Sequence, residues 1–225
     1  MPALVRPVLL GAAALIAAAP VHAEQVAQGW LNGAVTVPVD DATGFTLDTS
    51  LRFSEVAGGL QQYMIRGTAQ TQIAPDVTIG IGYGQSWSYS DGRFTGEEQR
   101  PHQDLGIGLG RVLGGTIATR TRLEERIFTG DGEVGFRLRE RAQYAGPKIS
   151  SGGIQPVASI EAFYNLNDTD RGARRGFDQL RTTAGLRLPI AGKLTLDASY
   201  FNQWIFRRGE DRIGHTALLA FGYKL

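Results

Sequence analysis

Between Thr116 and Tyr144 the chain carries its densest charge, and the charges keep to alternate positions. Arg120, Arg122, Glu124 and Arg126 share one face of a two-residue repeat, and Thr119, Thr121, Leu123 and Ile127 share the other. A second run sets Arg137, Arg139, Arg141 and Gln143 against Val134, Phe136, Leu138, Ala142 and Tyr144. A period of two is that of a β-strand. Thr129-Gly-Asp-Gly132 between the runs has the chemistry of a hairpin loop. That hairpin predicts Glu124 opposite Arg137 and Arg122 opposite Arg139. The planar fork of arginine suits carboxylates and other oxyanions, so the expected chemistry is ion pairing within the face or attraction of anions to it.

The same parity gathers more charge along the chain. Ten arginines fall on this face: Arg52, Arg66, Arg120, Arg122, Arg126, Arg137, Arg139, Arg141, Arg181 and Arg187. Five acids join them, Asp48, Asp104, Glu124, Glu161 and Asp197, which leaves an excess of five positive charges. Glycines 80, 82, 84, 106, 108 and 110 also share it and leave room for water or for guanidinium groups. Gly106-Ile-Gly-Leu-Gly110 is no dinucleotide fingerprint, because no helix follows. Glu125 and Glu140 break the pattern by facing the other way. A bulge, a position near an interface or a protein partner would each account for them.

Catalytic candidates are few. Without cysteine there is no disulfide, zinc-thiolate site or thiol nucleophile. His102 and Asp104 share the charged face where a long external loop is expected to end, with Ser88 and Ser90 close in sequence. Such a pair could activate a water or a serine hydroxyl. His215 begins the last strand, too far away to complete a metal site or a triad with His102. No metal or other cofactor is expected. No long basic block marks a nucleic-acid partner.

These residues need elements to hold them. Met1 to Ala23 reads as a secretory signal, with Arg6, an apolar run from Val8 to Ala19, and Val21-His22-Ala23 before the cut. Eleven alternating runs follow: 27–37, 45–54, 63–73, 77–89, 103–112, the two charged runs, 157–165, 179–188, 194–204 and 216–225. Their lengths approach the ~9–11 residues with which a tilted strand crosses a bilayer. The first run is the weakest. Residues 24–44 are therefore expected to form an extra strand or a segment lying in the lumen or along the rim, and residues 45–225 a barrel of about ten antiparallel strands.

Tight turns at 73–76, 113–115 and 190–193 alternate with longer polar segments at 90–101, 166–177 and 207–214, as short periplasmic turns alternate with external loops. Segment 146–155 is long but falls among the turns. Trp87, Tyr89, Trp204 and Phe206 beside the loops, and Tyr144, Phe221 and Tyr223 near the turns, suit two aromatic girdles. Arg171, Arg174, Arg175, Arg207, Arg208 and Arg212 are candidate grips for lipopolysaccharide phosphates.

The final run Ala217-Leu-Leu-Ala-Phe-Gly-Tyr-Lys-Leu225 resembles the C-terminal signal that outer-membrane barrels present to their assembly machinery, with Leu225 where Phe or Trp is usual. Arg120-Thr-Arg-Leu-Glu-Glu-Arg126, Phe136-Arg-Leu-Arg-Glu-Arg141, Glu161-Ala-Phe-Tyr-Asn-Leu-Asn167, Phe177-Asp-Gln-Leu-Arg-Thr-Thr-Ala-Gly185 and Tyr200-Phe-Asn-Gln203 resemble an uncharacterised Gram-negative outer-membrane family, domain of unknown function 2490. The resemblance implies an outer-membrane β-barrel and no established activity. The expected function is an integral outer-membrane barrel with a basic lumen, either structural or a narrow passive anion pore, and not an enzyme. A hydrolase acting on lipid or peptide at the external rim, through His102 and Asp104, is the alternative.

Overall fold

The computed structural model describes residues 23–130, 132–170 and 173–225. The expected signal, apart from Ala23, and loop residues Asp131 and Arg171 lie outside them. Eleven strands make up the fold: β1 Glu24–Pro38, β2 Thr43–Ser54, β3 Gly59–Ala74, β4 Val77–Ser90, β5 Arg93–Val112, β6 Gly115–Phe128, β7 Val134–Ala145, β8 Gln155–Asn165, β9 Gly176–Ala191, β10 Leu194–Ile205 and β11 Arg212–Lys224. Each pairs with its sequence neighbours, and β1 pairs with β11 to close a barrel. No helix among the described residues is long and apolar enough to cross a membrane, a statement that leaves β-strands aside.

Ten strands from β2 on, with β1 as the extra N-terminal strand among the expected alternatives, make eleven. β1 is a full strand in the wall, neither lumenal nor along the rim, and residues 24–38 belong to the barrel as much as residues 45–225 do. An odd number of antiparallel steps leaves the first and last strands pointing the same way, so the seam is parallel. It runs without a break from Glu24↔Arg212 to Thr36↔Lys224. The wholly antiparallel expectation therefore fails at this one junction, and every other pairing is antiparallel.

The expected loop at 90–101 is also corrected. β5 is 20 residues long and begins at Arg93. It turns back on β4 through Asp91 and Gly92, both with positive φ, 50° and 72°. Pro101 sits inside this strand. Its missing N–H coincides with a gap in the β5–β6 ladder, where pairing stops after Gln99↔Ile127 and resumes at His102↔Glu124. Glu125 lies in that gap.

One barrel end carries residues 55–58, 91–92, 129–130, 132–133, 166–170, 173–175 and 206–211, and is termed the loop end. The opposite, turn end carries residues 39–42, 75–76, 113–114, 146–154 and 192–193, together with Leu225. All the tight turns gather there as expected, with 146–154 among them. In the first turn the Asp40 carboxylate accepts the N–H groups of Ala42 and Thr43 at 2.8 and 2.7 Å. Those bonds hold its carboxyl below the usual range.

Burial is inverted relative to a water-soluble sheet. Among the described residues fifteen buried side chains are polar or charged and eight are apolar. Outward residues such as Leu47, Ile81, Leu105, Leu186 and Leu219 stay exposed, Ile81 at 65%. The core of this barrel is its charged lumen.

A candidate site in the charged lumen

Strand alternation delivers the arginines and acids to the interior, and the hairpin register sets their partners. Glu124 stands opposite Arg137, and Arg122 opposite Arg139, as the sequence predicts. Arg137 donates to Glu124 through Nε and Nη2 at 3.0 and 2.6 Å. Arg139 bridges Glu124 and Glu161, donating to the latter at 3.0 and 2.7 Å. Arg120 also reaches Glu161 at 2.8 Å. Arg122 grips Asp104 with two bonds of 2.6 Å. Arg66 holds Asp48 at 3.0 and 2.9 Å, and Arg187 holds Asp197 at 2.7 and 2.6 Å. Buried charges persist only when paired in this way, because desolvation penalises each ion by several kcal/mol.

One further cluster was hidden by the loop expected at 90–101. Glu98 is buried and accepts bonds from Arg100 at 2.6 Å and from Arg126. Adding one arginine and one acid gives eleven against six, so the excess of five persists. The six acids engage Arg66, Arg100, Arg120, Arg122, Arg126, Arg137, Arg139 and Arg187. Arg52, Arg141 and Arg181 are left with no carboxylate within ion-pair distance among the described residues.

Aromatic side chains occupy the middle of the lumen. Phe163, Phe201 and Trp30 are buried, and Arg52 stacks on the Trp30 ring at 4.0 Å. Arg181 and Arg139 lie over Phe163 at 4.3 and 4.6 Å. Such stacking satisfies the face of a guanidinium and leaves its edge for hydrogen bonds: Arg52 donates to Gln62 at 2.7 Å and to Ser50, and Arg181 to Gln179 at 3.3 Å. Parity carried this signal, since Phe163 shares the face of Glu161 and Phe201 that of Asp197.

Two cavities flank this layer. One, of about 520 Å³, occupies the turn-end half of the barrel, and the other, of about 370 Å³, lies toward the loop end. Trp30 and Arg52 line both, so their stacked pair lies between them.

The remaining candidates are placed differently from expectation. His102 is not at the rim: it lies within β5, 1% exposed, packed against Gly82 and within 3.2 Å of the Thr68 hydroxyl. The space expected at Gly82 is thus filled by an imidazole. Asp104 is committed to Arg122, while Ser88 and Ser90 pair near Gly96 and Arg93 toward the loop end. His215 faces outward, bonded to Tyr200 at 2.6 Å and to Gln25. Arg212 lies in β11 rather than a loop, and with Arg207 it binds Glu24. The outward Glu140 accepts the Thr121 hydroxyl at 2.5 Å.

The chain matches the family described as "Protein of unknown function (DUF2490)" over residues 27–214. It is 34% identical over 199 residues to an uncharacterised protein of Methylorubrum extorquens, covering 87% of each chain. No solved structure matches. The family match begins in β1, runs through the whole ladder of lumenal charge and ends in β11, and on that span this chain belongs to the DUF2490 family of proteins of unknown function.

Proposed function

We propose that the protein is an integral barrel of the Gram-negative outer membrane whose lumen is closed at mid-depth, so that its resting role is structural rather than that of an open pore. The observation that carries this reading is the stacked Trp30 and Arg52 between the two cavities, beside the buried Phe163 and the Glu124 ion pairs. The exposed aliphatic outer wall supports a lipid environment, since a soluble monomer rarely leaves such a surface continuous. Stacked Tyr63–Trp87 and Trp204–Phe206 pairs lie toward the loop end and suit a headgroup zone there. On this reading the loop end faces outward toward lipopolysaccharide, and β11 presents Phe221 and Tyr223 to the assembly machinery.

A narrow anion path is the second reading. The excess lumenal positive charge favours it, and it needs Trp30 and Arg52 to part. The rim hydrolase gains no support from a buried His102. Membrane fractionation with planar-bilayer recording tests the proposal. The protein is expected in the outer-membrane fraction and silent in bilayers. Recovery as a monodisperse protein without detergent, or regular conductance steps from the unaltered chain, would overturn it.

A further inference from the structure

The turn-end cavity is lined by more cations than anions, and its ion pairs show which cations are left over. Eight arginines and three carboxylates line it. The carboxylates are already engaged, Asp48 by Arg66, Asp197 by Arg187, and Glu161 by Arg120 and Arg139. Arg137 and Arg139 are held by Glu124, and Arg100 by Glu98. What remains is Arg52, Arg141 and Arg181, three cationic forks with no carboxylate within ion-pair distance among the described residues; Arg52 donates to Ser50 and Gln62 and Arg181 to Gln179, all neutral acceptors. Arg52 faces the like charges of Arg181, Arg100 and Arg139, an arrangement that a bound anion relieves.

Two further atoms point the same way. The indole Nε1 of Trp30 and the Nε of Arg141 are buried and have no hydrogen-bond partner. Trp30 itself is 8% exposed and lines this cavity. Buried donors are seldom left unmet. Access is from the turn end, where Arg187 and Asp197 are 42% and 23% exposed, while the stacked Trp30–Arg52 pair lies on the other side. A cavity of about 520 Å³ is within the range that holds small organic molecules and far exceeds a halide.

We infer that the turn-end cavity binds a compact multivalent oxyanion, a small molecule bearing phosphate groups, through Arg52, Arg141 and Arg181 with the Trp30 indole N–H as a further donor. The inference rests on the closed lumen proposed above, which makes the cavity a blind vestibule and places its mouth on the periplasmic side. Phosphate oxygens match the guanidinium fork in pairs, and three unpaired arginines call for a ligand of two or more negative charges.

Titration calorimetry of the full chain purified in detergent micelles, with pyrophosphate as the probe, tests this. Saturable binding is expected, with a change in tryptophan emission as Trp30 gains a partner. Sodium chloride at matched ionic strength is expected to produce no saturable signal. Each fork lost is expected to weaken binding by about tenfold or more, the scale of a charge-assisted hydrogen bond. Arg181→Gln removes a fork next to the aromatic layer and could disturb folding. Arg141→Gln, farther from that layer, gives the same test independently, and Arg111→Gln, beside a turn, is expected to leave affinity unchanged. Absence of saturable pyrophosphate binding, or affinity in Arg141→Gln and Arg181→Gln equal to that of the unaltered chain, overturns the inference. Failure of the closed-lumen reading would instead appear as conductance from the unaltered chain, a readout separate from this titration.

Discussion

At the scale of single residues, Glu124 has the most to lose. It is 2% exposed and accepts from both Arg137 and Arg139. Glu124→Ala leaves Arg137 without its carboxylate and Arg139 with Glu161 alone in a buried layer. Breaking a buried pair from one side costs about 3–5 kcal/mol, and urea unfolding in micelles is expected to register a loss on that scale. Asp197→Asn removes the partner of the far more exposed Arg187, where solvent screens the pair, and less than about 1 kcal/mol is expected. Gly82 makes a steric test. A Cβ there would meet the His102 ring and the Gly67 carbonyl, so Gly82→Ala is expected to destabilise by about 1–3 kcal/mol, the range for overpacking, in the same unfolding assay. The Glu124–Arg137 pair was legible because a short loop sets hairpin register. The Glu98–Arg100–Arg126 cluster was not, because Pro101 and polar residues on both faces imitate a loop.

Among the elements, β1 decides whether the wall is complete. Its outward residues Leu31, Val35 and Val37 alternate with Trp30, Asn32 and Ala34, but Gly29, Gly33 and the turn-end Pro38 weaken the pattern in sequence. What the chain could not display is the partner. β11 lies at the far end of the sequence, and parallel pairing across that separation leaves no local signal. β1 is bonded on both edges, with Leu31 opposite Leu219 on one side and Leu51 on the other. Proline at a doubly paired position removes a ladder donor and distorts the strand. Leu31→Pro is accordingly expected to open the seam, seen as loss of the compact, heat-modifiable band in cold electrophoresis. The same substitution at Val39, in the turn beyond β1, is expected to retain that band. Equal behaviour of the two variants would mean that the parallel seam contributes little to closure.

For the whole molecule, the decisive quantity is whether the two cavities communicate. Eleven strands enclose a bore only slightly wider than the eight-stranded size that side chains fill, so a few bulky residues suffice to shut it. Here Trp30 and Arg52 lie between the cavities, while most neighbouring arginines are tied to carboxylates and cannot swing aside without leaving charges unpaired. Removing the indole and its stacked guanidinium together deletes that stack but leaves the Glu124, Glu161 and Asp104 pairs intact. The double variant Trp30→Ala with Arg52→Ala is thus expected to turn a silent barrel into one with small conductance steps in planar bilayers. The lumen keeps an excess of positive charge after Arg52 is lost, since Arg141 and Arg181 stay uncompensated. The opened path should therefore prefer anions, read as the sign of the reversal potential in a salt gradient. Adding Arg181→Glu to the opened barrel would cut that preference without narrowing the bore. A double variant that folds but stays silent would place the barrier elsewhere, in the arginine–glutamate layer around Phe163.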